Sequence, residues 1–203
     1  MEVPEAGWVL CQQVHGTAVA DVGRLEKGRG AMDHWSAIPR TDGLLTLETG
    51  VGLGVLTADC LPLILVDTSR PAVAVVHAGW RGMLSGIAAR GLDRLRRRTG
   101  AAAADLLAFI GPHIGPCCME VGEEVADAFR AISGGSIVPG PCGASLDLTD
   151  ACREELVSGG MLEGNIYDSG VCTACSDDYF SFRGDPGCGR QMAFACIRGG
   201  AHG

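Results

Sequence analysis

Aromatic side chains are scarce, at 5% of 203 residues, so few large groups are on hand to fill a core. No apolar stretch approaches the roughly eighteen residues of a membrane-spanning helix, which excludes such a span. The start, Met1-Glu2-Val3-Pro4-Glu5, is acidic where an export signal is basic and then apolar. A soluble, cytoplasmic protein is the expectation. Positive charge is also short: 16 basic residues against 24 acidic ones leave a net charge of −8, which argues against a nucleic-acid face. The one basic cluster, Arg94, Arg96, Arg97 and Arg98, falls at the end of a predicted helix and reads as a solvated helix end. Repeats and low-complexity linkers are missing too, so residues 1–203 read as one domain.

What is present in quantity is glycine, 31 residues, and cysteine, 10 residues. The cysteines are too dilute for a secreted disulfide scaffold and follow no repeating spacing. Reduced thiols, buried apolar side chains or metal ligands are expected. A zinc ribbon needs two Cys-x-x-Cys pairs, and only Cys172-Thr-Ala-Cys175 qualifies. Short apolar runs bounded by Gly, Pro or Asp predict strands at Trp8–Val14, Leu44–Leu47, Gly52–Leu56, Leu61–Val66, Ala72–Val76, Leu106–Ile110 and Met192–Ile197. Leu84, Ile87, Ala88, Gly91, Leu92 and Leu95 share one helical face; Val121 to Ile132 and Leu148 to Val157 are the other predicted helices, the last with Asp147 or Thr149 as N-cap. Hairpin-like strand pairs mixed with helices predict a mixed α/β domain, a single-domain layered sandwich with a mixed β-sheet.

The chemistry concentrates in Thr57-Ala-Asp59-Cys60-Leu-Pro62 and His77-Ala-Gly79-Trp80-Arg81-Gly82. Asp67-Thr-Ser-Arg-Pro71 is a polar turn between two apolar runs, a hairpin signal. If Val66 pairs with Ala72, Cys60 lies opposite Ala78, next to His77, with strands about 4.8 Å apart. A thiol beside an imidazole is an activated nucleophile, a pair of zinc ligands, or a buried pair with no chemistry. His15, at the end of another predicted strand, is the best third ligand, with His113 as competitor. Gly79 to Gly82 opens a helix and, with Arg81, could hold an anion such as phosphate. Arg183 and Arg190 add two guanidinium groups near the last predicted strand. Vicinal cysteines bond each other only with strain, so Cys117 and Cys118 are expected to point different ways in a packed turn. Cys172 and Cys175 lack the helix-start context of a redox pair and read as buried thiols.

Taken in order, Gln13-Val-His15-Gly16, Thr57-Ala-Asp-Cys60-Leu-Pro62, His77-Ala-Gly-Trp-Arg81-Gly82, Gly111-Pro-His-Ile-Gly-Pro-Cys-Cys118 and Gly189-Arg-Gln191 resemble the bacterial YfiH-type family, long labelled multicopper polyphenol oxidase or laccase domain. The resemblance runs from about Trp8 to Ile197. It implies a YfiH-like fold of cysteine-hydrolase type, with a zinc ion held by His15, Cys60 and His77. It also implies phosphorolysis of purine nucleosides (adenosine, inosine, guanosine, methylthioadenosine) and deamination of adenosine at the same site. His113 falls where the family often has another residue, which demotes it. Only twelve residues precede Gln13, where the family usually carries a further N-terminal segment. The family's paired arginines reduce here to Arg183.

On this reading Asp59 is the candidate proton shuttle beside Cys60 and His77, and Arg81 with Arg183 or Arg190 would hold phosphate. The expected partners are a purine nucleoside and phosphate, with neither nucleic acid nor membrane, for a monomer or small homo-oligomer. The rivals are a copper-dependent polyphenol oxidase, a metal-free cysteine hydrolase using Cys60 and His77, and a zinc-stabilised binding module without activity. Five histidines are too few for a blue-copper centre plus a trinuclear cluster, and His34 and His202 stand in no motif. Copper at the same three ligands remains the alternative cofactor to zinc.

Overall fold

The computed structural model describes residues 7–141 and 143–199. The acidic start, Cys142 and His202 lie outside the described residues. Twelve strands are found among the described residues: β1 (Trp8–Leu10), β2 (Val19–Asp21), β3 (Gly43–Thr46), β4 (Gly52–Thr57), β5 (Leu61–Asp67), β6 (Ala72–Ala78), β7 (Leu106–Ile110), β8 (Glu120–Val121), β9 (Ile137–Gly140), β10 (Gly143–Leu146), β11 (Ile166–Asp168) and β12 (Gln191–Cys196). Four α-helices join them: α1 (Trp80–Leu84), α2 (Ile87–Thr99), α3 (Glu123–Arg130) and α4 (Leu148–Ser158). None of these helices is long and apolar enough to cross a membrane.

The central sheet has the order β11-β7-β5-β6-β3-β2 and is mixed, β5–β6, β5–β7 and β3–β6 being antiparallel and the two edge pairs parallel. Its strands read as unbroken apolar runs because both faces are covered. Side chains alternate between two cores along each strand. Leu45, Leu63, Leu65, Ala74 and Val76 pack with Ile87, Leu92 and Leu95 of α2 and Leu156 of α4. Leu44, Val73 and Val75 face the opposite way, onto Val9, Leu53 and Val55 of a second sheet, β1-β4-β12. A third small sheet, β8-β10-β9, sits beyond Met119. The result is a layered, mixed α/β sandwich, as the patterning predicts.

Three local departures have physical causes. The predicted helix carrying Leu84 is interrupted at Gly86, whose φ of +82° no helix accommodates, so Leu84 closes α1 and Ile87 opens α2. The predicted strand Trp8–Val14 stops at Leu10, because the chain beyond it is drawn around a buried carboxylate. The arginine cluster is not simply solvated: Arg94 and Arg98 reach Asp21 of β2 at 2.8 and 3.0 Å, and Arg96 donates to the carbonyl of Gly159 at 2.8 Å.

Gly86 has no side chain to cap α2, and Glu155 of α4 supplies the missing acceptor, taking the amide of Ala89 at 2.9 Å. Burial pushes the Glu155 carboxyl up to about 7, against the hydrogen bonds from the Ala89 and Ala88 backbone. In the fold it therefore holds its proton at pH values where the unfolded chain, near 4.5, has lost it. Stability contributed here is present below about 4.5 and declines as pH rises through about 7. Glu155→Gln, neutral at every pH and still an acceptor, is expected to flatten this profile. Above pH 7 it should exceed the parent by on the order of 2 kcal/mol, allowing for partial exposure. Urea unfolding at pH 5 and pH 8 checks both points.

Candidate metal centre

The β5–β6 hairpin places Cys60 and His77 at one end of the central sheet. Asp67 pairs with Ala72 and Pro62 with His77, one residue away from the predicted register, so Cys60 lies one step beyond the Leu61–Ala78 pair and faces Gly79. The glycine is what lets Cys60 and His15 come together beside it. A Cβ there would stand 2.7 Å from His15 Cδ2 and 3.1 Å from Cys60 Sγ. Gly79→Ala should therefore lower metal affinity in a competition titration with a chelator while leaving the melting temperature nearly unchanged. A variant that binds metal as the parent does would show that the pocket does not need this space.

His15 does not end a strand. It lies in the loop after β1, exposed, with φ +57°. That conformation is held by Asp42, fully buried just before β3, whose carboxylate accepts the amides of His15 at 2.9 Å and Gly16 at 2.8 Å, and that of Val14. This nest of amides around one anion shapes the loop. The same carboxylate takes His77 Nδ1 at 2.9 Å, while the His77 amide donates to the Asp42 carbonyl at 2.7 Å. With Nδ1 committed to Asp42, His77 presents Nε2 as its free ligand atom, the carboxylate–histidine arrangement that orients metal ligands.

Ligand atoms of His15, Cys60 and His77 all lie within 4.8 Å of one another, Cys60 Sγ being 3.8 Å from His15 Nε2. The rings of His15 and His77 meet edge to face at 4.9 Å. Tetrahedral zinc places nitrogen and sulfur ligands about 3.5 Å apart, so the donor set and its spacing fit one ion. Three protein ligands leave a fourth position free, as in catalytic zinc sites. Burial would raise the Cys60 thiol, but hydrogen bonds from His15 and His77 outweigh it and bring it down to about 6. Burial disfavours the His77 cation, yet Asp42 and Cys60 raise it to about 9.

The triad lines a cavity of ≈ 540 Å³, a volume typical of small-molecule sites. Asp59, Trp80, Phe182, Arg183 and Arg190 line it. Asp59 has φ +83°; its Oδ1 accepts Thr173 Oγ1 at 2.7 Å and its Oδ2 the amide of Arg183 at 2.6 Å. The Arg183 guanidinium donates to the carbonyls of Cys118 at 2.7 Å and Glu120 at 3.2 Å. Arg190 donates to the carbonyls of Cys188 and Gly189 and lies over Phe182. Arg81 is not among the lining residues: its guanidinium stacks on Trp80, 4.2 Å from the ring centre. His113, 4% exposed, engages Gly111 O through Nδ1 and Thr149 Oγ1 through Nε2, so neither nitrogen is free for a metal. Asp42, Thr173 and the pocket-lining His34 are the contributors that sequence reasoning missed. The Asp42-Gly43 turn signal marks a bend but nothing of its role.

A family model described as multi-copper polyphenol oxidoreductase laccase matches residues 1–198. The chain belongs to this family. It is 40% identical over 198 residues to the purine nucleoside phosphorylase YlmD of Geobacillus stearothermophilus, covering 94% of this chain and 72% of that protein. A crystal structure of YlmD from the same organism superposes with a TM-score of 0.92 over 97% of this chain and 76% of that one, at 39% identity. The YfiH protein of Bacillus licheniformis superposes with a TM-score of 0.91 at 35% identity, over 96% of this chain and 75% of that one. A relative from an unknown prokaryote, 36% identical over 181 residues (86% of this chain, 69% of that protein), bears the name adenosine deaminase RL5. The copper cluster that the family description evokes does not fit the site. Among the described residues one metal-ligating cluster contains histidine, and it holds two imidazoles and a thiol, a set for one ion.

Proposed function

We propose that this chain is a zinc-dependent purine nucleoside phosphorylase that also deaminates adenosine, its zinc held by His15, Cys60 and His77. The observation that supports this most is the triad itself, with His77 oriented by Asp42, lining a cavity large enough for a nucleoside. The names of the relatives point to the same substrates. When bound, zinc supplies a Lewis acid at the open fourth position.

The remaining work falls to side chains of the wall. In phosphorolysis, phosphate adds to C1′ of the sugar as the purine leaves, giving ribose 1-phosphate and the free base. Arg183 and Arg190 line the cavity, each with guanidinium N–H groups beyond those given to backbone carbonyls, and hold the phosphate. Arg81 is the weaker phosphate candidate because it does not line the cavity. In deamination, water replaces the C6 amino group, giving inosine and ammonia. Asp59, braced by Thr173 and the Arg183 amide, moves the proton between water and the departing amine. Trp80 and Phe182 offer apolar faces to the purine.

The test is adenosine turnover with and without phosphate, before and after chelation. Ribose 1-phosphate formed only with phosphate, lost on chelation and restored by zinc, is the expected outcome. A second reading rests on the depressed Cys60 thiol beside His15: a metal-free cysteine hydrolase. Full turnover after thorough chelation would favour it and overturn the zinc assignment. Restoration by copper alone, with oxidation of phenols, would favour the oxidase.

A further inference from the structure

On the far side of His113 two loops meet. One runs from Gly111 to Met119; the other follows β11 and carries Cys172 to Cys175. Backbone hydrogen bonds join them: the His113 amide donates to Val171 O at 3.2 Å and the Thr173 amide to His113 O at 2.9 Å. This pairing brings together two pairs of cysteines that the sequence keeps more than fifty residues apart. The Sγ atoms of Cys117, Cys118, Cys172 and Cys175 all lie within 4.8 Å of one another. Cys175 Sγ stands 3.3 Å from that of Cys118 and 3.7 Å from that of Cys117. The vicinal pair therefore points to one place rather than two, contrary to expectation. Nor are Cys172 and Cys175 buried thiols, since Cys175 is exposed and Cys172 only half-buried.

Disulfide formation needs sulfurs about 2.05 Å apart and uses them in pairs. Here four converge on a common centre. A tetrahedral ion at about 2.3 Å from each sulfur sets them about 3.8 Å apart, within the range observed. The backbone supports the sulfurs as well: the Gly115 amide donates to Cys172 Sγ at 3.2 Å, the contact that stabilises a ligating thiolate. Gly115 itself packs against this centre: a Cβ there would come within 3.3 Å of Cys172 Cβ and reach van der Waals contact with Cys117 Sγ at 3.4 Å.

We propose that Cys117, Cys118, Cys172 and Cys175 form a second, tetrathiolate zinc site, separate from the histidine-bearing triad. With four protein ligands it has no open position, so its role is structural. It ties together the two loops that hold the wall of the cavity. Thr173, between Cys172 and Cys175, grips Asp59; the Cys118 carbonyl receives the Arg183 guanidinium; the Ile114 amide donates to the Asp59 carbonyl at 3.0 Å. Zinc in this site fixes Asp59 and Arg183 without touching substrate.

The test separates this site from the triad. A Cys60→Ala chain, purified from zinc-supplemented cells, should retain about one zinc per chain with an all-sulfur shell at about 2.3 Å by X-ray absorption. Adding Cys172→Ser and Cys175→Ser should remove that ion. In the wild-type chain, zinc should protect all four cysteines from alkylation, mapped by mass spectrometry, an experiment that holds even where a variant fails to fold. A Cys60→Ala chain that neither retains nor takes up zinc would overturn the proposal. So would four thiols alkylated at the same rate with and without zinc, or a Cys118–Cys175 disulfide in protein isolated with its thiols quenched. The triad reading fails independently, when the wild-type and Cys60→Ala chains carry the same amount of zinc.

Discussion

Cys60→Ala is expected to lower bound zinc by about one ion per chain and to reduce kcat/KM for adenosine, with or without phosphate, at least about a thousand-fold, equivalent to about 4 kcal/mol of transition-state stabilisation. The size follows from what is lost. In the proposed site Cys60 would contribute the one anionic ligand, its thiol already brought down to about 6 by its two imidazole neighbours. Two imidazoles alone hold zinc too weakly to keep it in a dilute assay. The fold itself should survive, because Cys60 is half-buried at the tip of β5 and the strands beside it are tied by seven paired positions between β5 and β6. Metal analysis, steady-state kinetics and a thermal melt on the same preparation decide the matter. Unchanged zinc with lost turnover would turn Cys60 into a nucleophile rather than a ligand.

The second large effect is expected at Asp42. Asp42→Asn keeps the shape but loses the charge and turns one acceptor oxygen into a donor, which then opposes the amides of Val14, His15 or Gly16. The residue has no exposure to water, so nothing replaces the lost partners. Destabilisation by about 3 kcal/mol is expected, from buried charge-assisted hydrogen bonds left unmade. Zinc affinity should fall about 10- to 100-fold, as it does where the carboxylate behind a ligating histidine is removed. Urea unfolding of the metal-free chain and a chelator competition give the two numbers separately. A variant that keeps its stability while losing zinc would show that the loop holds His15 without Asp42.

Much of this site was legible because Cys60 and His77 lie at the ends of the strongest apolar runs in the chain. The runs around Leu63 and Val75 are unbroken because both faces of their strands are covered, and the Asp67–Pro71 turn joins them, so Cys60 and His77 had to meet. The one-residue error in register came from the turn, whose boundary no apolar pattern marks. Asp42 was illegible for a different reason. Its partners lie 26 to 35 residues away, and a lone Asp before a Gly reads as a bend whatever else it does. The short edge strands β2 and β11 and the β8-β10-β9 sheet escaped because pairs this brief carry almost no alternation. The break between Leu84 and Ile87 was within reach, since Ser85-Gly86 is a punctuating dipeptide that the helical periodicity overrode.

The parts of the pocket also differ in when they can exist. His15, Asp42, Cys60 and His77 all lie within the first 77 residues, and the strands that carry or flank them pair with one another. Thr173, Phe182, Arg183 and Arg190 come only with the last segment, just before β12 settles along β4. On a ribosome, where chains emerge from the N-terminus, the His15–Cys60–His77 cluster is complete long before the late wall of the cavity arrives. On the proposed function, a nascent or prematurely terminated chain would be able to load its metal yet have nowhere to hold a nucleoside. Turnover would then begin only when the final strand is in place, and unfinished copies would stay silent.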